Sequence, residues 1–247
     1  MDSVCAHNFV FPGVAALLRI KEPELMTESE QVKVYARTDF SDSDRKMVAR
    51  LSEFLKESKK NLQRKPVFLD LGCGPGNITE RLAAQWPEAT VVGIDGSLEM
   101  LRLARERQYL VKKVSSLKGL SYIKQDISTL SSAQCIFPEL ADVVVSNSFI
   151  HHVHDFKDFL NALNFISKKG TLFFHRDLRR PITFDVALEI QQRHLPRAHP
   201  IMIRDFLSSL KAAYTVDEVQ DYLEKSNWES FNVTEVEDRY LDIIGIN

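Results

Sequence analysis

Three cysteines in 247 residues, Cys5, Cys73 and Cys135, are too few and too scattered for a disulfide framework or a cysteine-rich metal site. A reducing, cytoplasmic setting is therefore expected. A surplus of one charge is missing too: 32 Lys and Arg stand against 34 Asp and Glu, a formal net charge of −2. Without basic surplus to neutralise phosphates, nucleic acid is disfavoured as a partner. No apolar run is long enough to span a bilayer, and the one segment with a targeting flavour, Asn8 to Ile20, is short, contains Pro12 and follows Asp2 rather than a basic start. It reads as an N-terminal helix or a variable extension, and no membrane partner is expected. Internal repeats and low-complexity tracts are absent as well. What is left, 44% hydrophobic and 27% charged, describes a chain able to bury one sizeable core beneath a lid.

The densest information lies in VFLDLGCGPGN, Val67 to Asn77. Val67, Phe68, Leu69 and Leu71 predict a buried strand, interrupted by Asp70 where the strand should emerge. Gly72, Gly74 and Gly76 then allow a tight turn with no Cβ in the way of a ligand, and the amides of the helix that follows are free to bind it. The spacing is not G-x-G-x-x-G, because the third glycine comes one place early and Asn77 stands where a small residue belongs. A nicotinamide dinucleotide is thereby disfavoured. Further strands end in acids in the same order: VVGIDGS, residues 91–97, places Asp95 25 residues after Asp70, and Tyr122 to Ile127 carries Asp126 at its end. DVVVSNS, Asp142 to Ser148, is a β-branched run suited to a central strand.

Apolar spacing predicts a helix over Asp44 to Ser58, then helices near 77–86, 97–107 and 155–168 alternating with strands, the last of these at Thr171 to Asp177. Gly170 is the expected stop of the helix before that strand. Residues 21–43 read as polar and irregular. Alternation of this kind means a parallel sheet covered on both faces. Ile182 to Leu195 and Ile201 to Ala213 predict two inserted helices, and Thr215 to Glu218 is a capping box opening another. Phe231 to Val236 and Tyr240 to Ile246, joined by Glu237-Asp238-Arg239, predict a closing antiparallel hairpin.

The D-L-G-C-G-P-G turn, the later acids and this hairpin resemble the class I S-adenosylmethionine (SAM) methyltransferases. The implied fold is α/β: a Rossmann-like sheet of seven strands, mostly parallel, with helices on both faces, a C-terminal antiparallel hairpin and a helical lid insertion at about 181–214. Residues 1–60 would form an N-terminal helical lid segment and 61–247 the methyltransferase domain. The resemblance implies that SAM, leaving as S-adenosylhomocysteine, is bound by Asp70, Gly72, Cys73, Gly74, Asn77, Asp95, Gly96, Met100, Asp126, Ile127, Asn147 and Ser148. In it Asp95 holds the ribose hydroxyls, Asp126 the adenine amino group, Ile127 the adenine ring, and the strand ending at Ser148 faces the methionine part.

The acceptor side rests on Asn147 to Asp155, NSFIHHVHD. Imidazole titrates near neutrality and can take a proton from a hydroxyl, amine or thiol. In phosphoethanolamine-type methyltransferases a catalytic histidine stands at the position matching His152, the expected base here. A metal held by His151, His152 and His154 is not expected unless the chain is irregular there, since neighbours on a helix do not face one point. Tyr35 and Arg37, in VYARTDF, His151, and Arg176 and Arg179 beyond the fifth strand are the expected acceptor contacts, the arginines suiting a carboxylate or phosphate. No N-P-P-Y follows the fourth strand, which disfavours methylation of planar base or amide nitrogens, and no cysteine cluster suggests arsenite chemistry. The expected activity is methyl transfer to O, N or S of a small-molecule acceptor, by a monomer or homodimer. The alternatives are a protein or RNA methyltransferase, a non-catalytic SAM-binding subunit and a nicotinamide enzyme.

Overall fold

A computed structural model describes residues 16–22, 26, 28–60, 62, 65–112, 117–130 and 140–247. Cys5, Cys135, Pro12 and most of the 8–20 segment lie outside these. Seven strands, β1 (Val67–Leu71), β2 (Thr90–Asp95), β3 (Leu120–Lys124), β4 (Ala141–Asn147), β5 (Ser167–Leu178), β6 (Ser230–Val236) and β7 (Tyr240–Ile246), form one sheet. Their order is β3-β2-β1-β4-β5-β7-β6. The first five run parallel, and β7 lies antiparallel between β5 and β6. The expected sheet and its closing hairpin are thus present.

All five residues of β1 are buried because helices cover both faces. The period of two divides them: Val67, Leu69 and Leu71 join Phe156, Phe159 and Leu163 of α5 (Phe156–Ile166) on one side. Phe68 joins Met47 and Leu51 of α2 (Ser41–Glu57) and Leu82 of α3 (Asn77–Gln85) on the other. α4 (Leu98–Lys112) follows β2. The capping box at Thr215 and Glu218, with both hydrogen bonds made, opens α8 (Val216–Leu223).

Three expectations need correction. Residues 21–43 are not all irregular: α1 (Ser29–Arg37) lies there against α7 (Pro200–Ala212), and with one buried residue, Val32, it has too thin an apolar stripe to announce itself. β3 ends at Lys124, so Asp126 is on the loop before a short 3₁₀ turn, Ile127–Thr129, rather than on the strand. Gly170 does not stop a helix. α5 has ended at Ile166, and β5 pairs with β4 first at Ser167 and again from Leu172, so Gly170, with φ of 86°, turns the bulge between.

Between β5 and β6 the chain inserts α6 (Phe184–His194), α7 and α8. α7 lies beside α1 and above the turn after β4, so the two segments cover the carboxyl ends of the parallel strands together. Residues 16–22 run over the same rim. Leu17 and Ile20 donate their amides to the carbonyls of Ile182 and Lys211. Arg19 Nε donates to Ala212, its other nitrogens to Val153 and His154, and its guanidinium stacks 3.7 Å above the Tyr214 ring. No described helix is long and apolar enough to cross a membrane.

Candidate active site

The switch between β1 and β4, where successive strands depart to opposite sides, opens a crevice at their carboxyl ends, the usual ligand position in such sheets. The glycine turn forms one wall. Gly72, Gly74 and Gly76 all have positive φ. A Cβ on Gly72 would come within 2.0 Å of the Phe149 ring and one on Gly76 within 2.3 Å of the Tyr122 hydroxyl, so neither position admits a side chain.

Asp95 sits opposite, its two oxygens accepting from the amides of Gly74, at 2.8 Å, and Ser97, at 2.7 Å. Burial raises its pKa, and those two amides oppose the rise. Asp70 is 1% exposed and accepts from the Thr79 hydroxyl at 2.6 Å. Burial pushes its pKa up to about 7. All twelve residues assigned to the cofactor line this one cavity. Asn77 does so with its side-chain oxygen engaged by Arg107.

The acceptor assignments divide. Tyr35, His151 and His152 line the cavity. Arg37 is exposed on the last turn of α1, where a cation complements the helix dipole. Arg176 stands directly across from Asp242 on β7, and the two make a buried bidentate pair, both contacts 2.7 Å. Arg179 pairs with Glu235 at 3.1 Å. Antiparallel register and the rim of the hairpin hold both arginines away from the crevice, and the described residues lining the cavity include no Lys or Arg.

Other residues there gave no motif. Met26, Phe40, Asp44, Met202, Asp205 and Phe206 also line the cavity. Asp177, at the end of a strand foreseen from its apolar run, accepts the amides of Phe149 and Ile150 and meets His151 Nδ1 at 2.5 Å. Burial would lower the His151 pKa, but Asp177 and Glu22 prevail and raise it. Glu22 reaches in from the 16–22 segment, its Oε1 3.4 Å from His151 Nε2 and 3.3 Å from His152 Nδ1. The two rings stand 4.3 Å apart on a short 3₁₀ turn, Ile150–His152, and both meet Glu22 because that residue reaches in between them from another segment. The only available sequence signal was the His-His pair itself.

An open α/β sheet with a glycine turn, an amide-held acid on the second strand and a covered crevice defines a nucleoside-cofactor protein. The chain belongs to the methyltransferase-domain family, whose model matches residues 62–227, and within it to the class I SAM-dependent type. Among curated relatives it is 38% identical over 86 residues to a trans-aconitate 2-methyltransferase of Afipia carboxidovorans, 35% of this chain and 28% of that protein. The match thus spans less than a third of that relative's length. Its fold is that of a SAM-dependent methyltransferase from Aquifex aeolicus (TM-score 0.60, 18% identity, 90% of this chain and 99% of that one). It is also that of the plantazolicin methyltransferase BpumL in complex with a desmethylPZN analogue and SAH (TM-score 0.66, 16% identity, 88% and 91%).

Proposed function

We propose that this chain transfers the methyl group of SAM to an oxygen, nitrogen or sulfur of a small-molecule acceptor. The observation that carries the reading is Asp95: two backbone amides hold its carboxylate at the tip of β2, ready to accept both ribose hydroxyls, across from a turn whose Gly72, Gly74 and Gly76 carry no side chains of their own. Asp126 and Ile127 then take the adenine, and Asn147 and Ser148 the methionine end. The methyl carbon is already activated by the sulfonium, so holding the two reactants in line can supply roughly 7–11 kcal/mol. Residues 16–22, α1 and α7 act as the lid that keeps water out.

The histidine pair stands where the acceptor has to lose its proton, His152 being the expected base. His152 lines the cavity, and His151 beside it is oriented by Asp177, the arrangement of a base and its positioning carboxylate. The arginines once expected to bind an acceptor anion are engaged elsewhere, and the cavity wall carries Asp44 and Asp205. A tricarboxylate such as trans-aconitate would meet like charge there, so the acceptor of those relatives is not carried over. A covered cavity also speaks against a protein or RNA acceptor. We read the enzyme as cytoplasmic, working as a monomer or homodimer.

Calorimetry with SAM and, separately, NAD tests the cofactor. Binding of SAM alone is expected, and binding of NAD without SAM would overturn the reading. Release of S-adenosylhomocysteine with fractionated metabolite pools would then separate an enzyme from a non-catalytic SAM-binding subunit.

A further inference from the structure

We propose that Glu22, His151 and His152 hold a divalent transition-metal ion, zinc being the best match, at the acceptor end of the cavity. The inference rests on the methyl-transfer reading only for its purpose, since the geometry stands independently. Each of the three residues offers one ligand atom, and these atoms all lie within 4.8 Å of one another. Two of the three separations are 3.4 and 3.3 Å. A tetrahedral ion with bonds of 2.0–2.1 Å has ligand-to-ligand edges of about 3.3–3.4 Å. Two imidazoles and one carboxylate with an open fourth position is also the donor set of catalytic zinc.

The surroundings complete the pattern. His151 turns its other nitrogen, Nδ1, to the Asp177 carboxylate at 2.5 Å, the outer partner that would orient Nε2 toward a bound ion. Glu22 Oε1 is itself held by the Ser209 hydroxyl at 3.1 Å. Asp177 and Glu22 bring two carboxylates to a place where Arg19, a described cation beside it, is occupied with the backbone carbonyls of the same turn. A dication balances them. The ligands come from segments far apart in the chain, with Glu22 on the 16–22 segment, so binding the ion would also fasten the lid.

His151 and His152 line the cavity, so an ion on their nitrogens stands at its wall with a position open toward the acceptor. There it would lower the pKa of an acceptor hydroxyl, thiol or amine, replacing the free imidazole as the source of deprotonation. The acceptor gives its proton to solvent water. Its lone pair then forms the bond to the methyl carbon, while the electrons of the breaking C–S bond return to sulfur and S-adenosylhomocysteine leaves.

The test uses the full chain, stripped with a chelator and titrated with Zn²⁺ by calorimetry and with Co²⁺ by visible absorption. One ion per chain and the d–d bands of a low-coordinate Co²⁺ site are expected. Glu22→Gln and His152→Ala should each weaken Zn²⁺ binding by more than the roughly 10–100-fold that loss of an outer partner costs, and Asp177→Asn should fall within that range. Circular dichroism and SAM titration of the same samples show whether each variant folds. No stoichiometric ion on a folded, SAM-binding wild type would overturn the proposal, as would equal Zn²⁺ affinity in folded Glu22→Gln and His152→Ala. Ion binding without SAM binding would instead count against the methyl-transfer reading alone.

Discussion

The two halves of the cavity are built by different means. The cofactor half comes from the tips of adjacent strands: Asp70, the glycine turn, Asp95 and Asn147 sit where β1, β2 and β4 end, and backbone pairing places them. The acceptor half comes from pieces distant in the chain, with Glu22 and Tyr35 before the sheet, His151 and His152 after β4, and Asp205 on α7 beyond β5. A strand tip inherits its position from the sheet. A lid residue inherits its position from whatever its segment happens to pack against.

If this contrast holds, damage to the sheet should cost stability, damage to the cofactor half should cost SAM, and damage to the acceptor half should spare both. The largest effect is expected from Arg176→Met. Leaving Asp242 buried without its partner should cost about 3–5 kcal/mol in denaturant unfolding. Little change in the midpoint would mean that water reaches that pair. Next, Asp95→Ala removes the acceptor of two ribose hydroxyls, and SAM affinity measured by calorimetry should drop by about 100-fold, on the order of two charge-assisted hydrogen bonds. An unaltered dissociation constant would remove the ribose assignment.

A milder and more selective outcome is expected for Arg19→Ala, which unties residues 16–22 from Val153, His154 and Ala212. Acceptor KM should rise severalfold while SAM affinity stays within about twofold, since the cofactor wall is untouched. Equal loss of both would erase the distinction between the halves.

The last effect shows only as a pH dependence and concerns His175, fully buried beneath the sheet surface, 2.9 Å from the Ser146 hydroxyl, with its pKa lowered by burial to about 3. The unfolded chain binds a proton on this ring below about 6.5 that the native state refuses, so its contribution to stability is present above that pH and is lost progressively as pH falls toward 3. Urea melts of wild type and His175→Gln between pH 6.5 and 4 should differ in slope by at most about 1.4 kcal/mol per pH unit. Parallel slopes would mean that His175 titrates normally. Asp70 acts in the opposite direction, its raised pKa favouring the folded state at lower pH and losing that contribution as pH climbs toward about 7.

Legibility followed the same division. Strand β1, the spacing to Asp95, the Thr215 capping box and the closing hairpin could be read directly, because each depends on residues within one or two turns or on a period of two. α1, nine residues long with Val32 alone buried, is too short to stand out, and Gly170 is ambiguous because a bulge inside β5 and a helix stop both call for the same left-handed backbone. Arg176 was the instructive case. An arginine at a strand end reads as a ligand for an anion until the strand opposite is known, and only the antiparallel register puts Asp242 across from it.

The succession of strands and helices along the chain, the glycine turn and the acids Asp70 and Asp95 at strand ends followed from the sequence alone, since hydrogen-bonding periodicity and backbone freedom are local properties. Tertiary packing decided which charges meet: that Arg176 and Arg179 turn to Asp242 and Glu235, that Asp177 steadies His151, and that Glu22 reaches both histidines. Coulombic and hydrogen-bonded pairs act over a few ångströms of space and leave no periodicity or spacing in the chain that would record which distant residues meet.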